Sequence, residues 1–86
     1  MSLRLYVAGS APNSARATAN IRAICEGHFA KHYTLEIVDM LAQPRRALAD
    51  AIIVTPTLLK LGPPPSLRVI GDLSNTAEVL LLLGGK

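Results

Sequence analysis

Five groups of residues have the type and spacing to do chemistry. Cys25 is the only thiol. A redox dithiol needs two cysteines at the start of a helix, where the dipole lowers the thiol pKa and makes a nucleophile. The segment in that position, Ala11-Pro12-Asn13-Ser14, has none. Cys25 falls about three helical turns further on, beside an apolar stripe. A free cysteine there behaves as a small core residue. Ser14 has no evident base to activate it. His28 and His32 are four apart, a spacing that pairs ligands on one helix, but a helix ends near them and no third ligand is suitably spaced, so surface histidines are expected. Thr55-Pro56 stands just before a strand, where a proline is either an ordinary strand start or a cis bond.

The remaining group is cationic. Arg4, Arg16, Arg22, Lys31, Arg45, Arg46, Lys60, Arg68 and Lys86 set against six acids give a net charge of +3. Only Arg45 and Arg46 are adjacent. With Tyr6, Phe29 and Tyr33 the sole aromatics, there is no stacking platform, and nucleic-acid binding is not expected. One cysteine cannot form an internal disulfide, which fits a reducing cytoplasm. The longest apolar run, residues 79–83, is far too short to span a membrane, and the start of the chain has no signal-peptide pattern.

The elements that must position these residues follow from periodicity. Leu3, Leu5 and Val7 alternate with Arg4 and Tyr6 as a first strand. Gly9 and Pro12 end it, and Asn13 or Ser14 can cap a helix with Ala17, Ile21, Ile24 and His28 at helical spacing. Tyr33, Leu35 and Ile37 alternate as a second strand with one wetter face, as an edge strand shows. Pro44 suits the first turn of a short helix through about Ala51. Residues 58–61 form a third strand. Pro63-Pro64-Pro65 is a turn, because proline lacks the N–H donor. Leu67, Val69 and Ile70 make a fourth strand. Asn75 with Glu78 has capping-box spacing for a last helix, and Gly84 is its C-terminal stop. The 86 residues form one α/β domain of order β-α-β-α-β-β-α. Its four-stranded mixed sheet carries helices on both faces.

That order is thioredoxin-like, and it favours the cis reading of Thr55-Pro56. More specific strings are Leu5-Tyr6-Val7-Ala8-Gly9, Pro12-Asn13-Ser14 with Arg16-Ala17, and Val38-Asp39 with Pro44. Thr55-Pro56-Thr57-Leu58 with Lys60, the triple proline, Arg68, and Ile70-Gly71-Asp72-Leu73-Ser74-Asn75 follow. As an ordered set over nearly the whole chain they resemble the KaiB family of circadian clock proteins. The resemblance implies a non-catalytic, cofactor-free protein that binds a KaiC-type ATPase ring in its thioredoxin-like state, within a pathway that includes KaiA and a histidine kinase. It also implies a second family fold that forms tetramers. Matching strings make Arg16, Lys60 and Arg68 the candidate partner contacts.

The sequence departs from the family's clock members in four places. Residues 48–51 replace an acidic stretch that ends in lysine, Glu36 replaces a lysine on the second strand, and an acidic C-terminal tail is missing. Leu82 replaces a glycine in the last helix, and leucine favours helix by ~1 kcal/mol. A monomer resting in the thioredoxin-like state is therefore expected. Two other readings keep the fold and change the work: a diverged thioredoxin or glutathione-binding protein using Ser14 and Thr55, and a stress-signalling relative outside a clock.

Overall fold

The computed structural model describes residues 1–84, so Lys86, counted above among the scattered cations, lies outside them. Seven elements follow in the expected order: β1 (Ser2–Val7), α1 (Pro12–His28), β2 (Thr34–Asp39), α2 (Pro44–Ala49), β3 (Thr57–Gly62), β4 (Leu67–Ile70) and α3 (Thr76–Leu82). The sheet runs β2-β1-β3-β4. β1 and β2 pair in parallel across the α1 crossover. β3 pairs antiparallel with both β1 and β4.

Strand alternation divides the apolar residues between two cores. Leu3, Leu5 and Val7 of β1, with Leu58 of β3, pack against Ala17, Ile21, Ile24 and Cys25 of α1 and against Val79 and Leu83. On the other face Tyr6, Val38 and Leu59 pack against Ala47 of α2 and Ile52. Tyr6 is 0% exposed, although in the sequence it alternates with Leu3, Leu5 and Val7 on the face that carries Arg4. Its ring fills the space under α2, and its hydroxyl finds a hydrogen-bond partner there, as a buried tyrosine must.

Local details differ from the sequence reading in three places. Neither Asn13 nor Ser14 caps α1: the N-cap is Ala11, with Pro12 supplying a pre-set first turn. The Ser14 hydroxyl instead accepts a hydrogen bond from the Ala8 N–H at 3.1 Å and is buried. That removes it from the glutathione-binding reading. His28 is exposed rather than part of the apolar stripe, because α1 ends there and Phe29 is the C-cap. The Thr55–Pro56 bond is cis, as are Gly62–Pro63 and Pro64–Pro65.

The end of α2 is a Schellman turn. The Ile52 N–H bonds the Ala47 carbonyl at 2.8 Å and the Ala51 N–H bonds the Leu48 carbonyl at 3.0 Å. This geometry puts Ala51 at φ 55°, in the left-handed region that a Cβ disfavours by about 1–2 kcal/mol. Glycine gives part of that back in unfolded-state entropy. Ala51→Gly is therefore expected to stabilise the domain by about 0.5–1 kcal/mol, read as a higher urea midpoint at unchanged slope.

Candidate protein-docking face

The face carrying α2 holds most of the sheet's charge. Parallel register sets Arg4 of β1 opposite Glu36 of β2, and Arg4 Nε donates to Glu36 Oε1 at 2.8 Å. Arg46 of α2 reaches the same carboxylate with both terminal nitrogens, each at 2.7 Å. This fork is the strongest geometry an arginine and a carboxylate make. Arg4 also donates to Asp50 Oδ2 at 3.0 Å. The buried Tyr6 hydroxyl lies 2.6 Å from that same oxygen and 2.9 Å from the Arg46 carbonyl. Arg68 of β4 donates to the main-chain oxygens of Asp50 and Ala51.

The electrostatics follow from these contacts. The Arg46 fork, with Arg4 behind it, lowers the Glu36 carboxyl to about 2. The Tyr6 hydroxyl, then Arg4, hold Asp50 below the ordinary carboxylate range. Glu36 and Asp50 thus neutralise Arg4 and Arg46, while Arg45, one position earlier, points to solvent with no ion pair among the described residues.

The outer surface of the same element is apolar. Leu48, one helical turn from Arg45, is 80% exposed, and Ile53 just past the Schellman turn is 88% exposed. With Leu41 and Val54 they make up half of the large apolar side chains left exposed among the described residues. Beside α2 a shallow groove of about 250 Å³ is lined by Asp50, Leu59, Leu61, Ser66 and Arg68 among others. It falls below the ~300–1,000 Å³ of small-molecule sites. The surface is a ledge with an arginine at its rim, a form suited to another protein's surface.

The three residues singled out in the sequence do not converge on this ledge. Arg68 lies beside it, tied to the end of α2. Arg16 stands on α1, on the other side of the sheet, where it bonds Asn13 Oδ1 and faces Asp72 at 3.8 Å. Asn20 Nδ2 donates to the Asp72 carbonyl at 2.8 Å, so α1 holds this loop at two points. Lys60 is 5% exposed. Its Nζ lies 3.9 Å from where a Cβ on Gly84 would sit, at the carbonyl end of α3, where a helix favours a cation. The ammonium therefore does not project from the surface as a free contact.

The ion pairs among Arg4, Glu36, Arg46 and Asp50 escaped the sequence reading, which marked only Glu36, as a charge reversal. Arg4 opposite Glu36 follows from the expected parallel pairing once the register is known. The Arg46 and Asp50 partnerships need the placement of α2.

Cys25 is fully buried in the α1 core, and burial pushes its thiol up to about 11. Its reaction with an aromatic disulfide reagent at pH 8 is expected to be at least ~100-fold slower than that of free cysteine. Denaturant should release one thiol per chain at the ordinary rate.

Residues 4–84 match the KaiB domain. Over 79 residues the chain is 52% identical to the circadian clock protein KaiB3 of Synechocystis sp. (strain ATCC 27184 / PCC 6803 / Kazusa), covering 92% of this chain and 78% of that one. It is 51% identical, over 92% and 75% of the two chains, to the circadian clock oscillator protein KaiB of Prochlorococcus marinus (strain MIT 9312). In structure it is similar to the N-terminal domain of Synechococcus elongatus SasA, with a TM-score of 0.78 at 24% identity over 95% of this chain and 80% of that one. It is similar as well to chloroplastic thioredoxin z, with a TM-score of 0.77 at 16% identity over 96% and 74%. These neighbours share its thioredoxin-like fold, and with a matching domain over nearly its whole length the chain belongs to the KaiB family of circadian clock proteins.

Proposed function

We propose that this chain is a non-catalytic clock-pathway protein of the cytoplasm that docks on a KaiC-type ATPase ring through the outer surface of α2. The observation that carries the reading is Leu48, 80% exposed in the last turn of α2 and one turn from Arg45, which has no ion pair among the described residues. An apolar side chain with a cation at its rim fits the pattern of an interface core and rim. Arg16 and Arg68 enter the proposal as steering charge, which attracts an acidic partner without needing direct contact. Lys60 supports α3 instead.

Leu82 belongs to the same proposal. It ends α3, where leucine holds the helix better than glycine, and so favours the monomeric thioredoxin-like state as the docking state. KaiA and a histidine kinase pathway follow as further partners once the ring is engaged.

The test is size-exclusion chromatography with light scattering on the purified chain, alone and mixed with a KaiC-type ring from the same source. The expected result is a monomer that co-elutes with the ring. A monomer that never shifts in the presence of nucleotide-loaded ring sinks the proposed partner. A tetramer when alone sinks the reading of Leu82.

A further inference from the structure

α2 is attached to the sheet differently from α1, and the one residue it buries is the smallest any of the three helices relies on alone. α1 buries Ser14, Ala17, Ile21, Ile24 and Cys25, and α3 sets Val79 into the same core. α2 has six residues and buries only Ala47, with Ile52 following just past its end. A helix this short has no stability of its own in water. What holds it is polar: the Arg46 fork on Glu36, the Asp50 carboxylate between Tyr6 and Arg4, and Arg68 on the carbonyls of Asp50 and Ala51. These bonds lie at a partly exposed boundary, with Glu36 45% exposed.

Glu36 occupies the central place in this arrangement. It is the one acid that reaches both Arg4 on the sheet and Arg46 on the helix. Without it Arg4 keeps Asp50, but Arg46 keeps no carboxylate. The core on the other face, which holds β1, β3, α1 and α3 together, does not include α2.

We propose that residues 43–51 form a latch, a unit that leaves the sheet while the rest of the domain stays folded, and that Glu36 sets how often it opens. Opening bares Tyr6, Val38 and Leu59 and frees Arg46. Elements with few buried apolar contacts are those that open below the global unfolding free energy. The latch stands apart from the docking reading, because it is measured on the chain alone.

Native-state hydrogen exchange in low denaturant tests it. The Asp50, Ala51 and Ile52 amides, all hydrogen-bonded in the closed form, should exchange faster than the β1 and β3 amides and with a weaker dependence on denaturant. Glu36→Gln should speed exchange at these three amides about tenfold, since charged hydrogen bonds are lost at a partly exposed site; the closed form is destabilised against every opened form, so amides of β1 and β3 that exchange by global unfolding should speed by no more than that factor. Ala51→Gly should slow the same three amides several-fold. Lys31→Gln, distant in sequence from the latch, should move none of them. If the α2 amides share one exchange isotherm with β1 and β3, α2 is part of the global unit and there is no latch; if Glu36→Gln leaves the three amides unchanged, Glu36 does not set its opening.

Discussion

Lys60→Glu is expected to cost about 3 kcal/mol or more of folding stability, a large share of the ~4–13 kcal/mol usual for a chain of this size. Lys60 is 5% exposed, with its Nζ beside Gly84 at the carbonyl end of α3. The lysine stem packs against apolar surface while the ammonium sits where the helix is partly negative. A carboxylate there is buried, uncompensated and of the wrong sign for the helix end. Lys60→Met keeps the stem and removes the charge, and its cost should stay under ~1.5 kcal/mol. Urea unfolding of both variants checks the pair. If Lys60 were a surface contact for a partner, as its place in the Thr-Pro-Thr-Leu-x-Lys string suggests, both variants would be as stable as the parent and only binding would suffer.

The double variant Arg45→Glu with Leu48→Glu is expected to weaken binding to a KaiC-type ring by at least about 100-fold. Truncating a central interface residue commonly costs ~2 kcal/mol or more, and each 1.4 kcal/mol is tenfold in affinity. Reversing a rim charge that faces an acidic partner adds to that loss. The folded chain should tolerate both changes. Leu48 packs on little, and a glutamate in the first turn of α2 suits the helix dipole. Fluorescence anisotropy on the labelled chain reads the affinity, and thermal unfolding checks that the fold is intact. A variant that binds like the parent would place the docking surface elsewhere.

The strands and helices were legible because their apolar residues keep period two or 3.6 with little interruption. Leu3, Leu5 and Val7 mark one face of β1, and Ala17, Ile21 and Ile24 mark one stripe of α1. Asn75 and Glu78 show the start of α3: Asn75 Oδ1 accepts from the Glu78 N–H at 3.2 Å. Tyr6 was harder to place, because its face of β1 also carries Arg4. A ring whose hydroxyl bonds a carboxylate is a core residue only once α2 lies over it. His28 has the spacing of a core position and none of the burial, because helix spacing cannot show where packing stops.

The charged face that carries α2 was the least legible part. Arg46 reads as half of a solvated pair until α2 sets it over Glu36. Lys60 reads as surface because lysines are seldom buried, and only its place beside Gly84 at the end of α3 shows otherwise. The Glu36 charge reversal was visible in the sequence. Its consequence, two arginines gathered onto one carboxylate, depends on contacts between residues 32 and 10 positions apart.

The most direct measurement is an electron cryomicroscopy map of this chain bound to a KaiC-type ring. It should show the thioredoxin-like fold with Thr76–Leu82 helical and with Arg45 and Leu48 of α2 against the ring. A ring contacted instead through α1 and α3, or a chain whose residues 76–82 form a strand, would contradict the account.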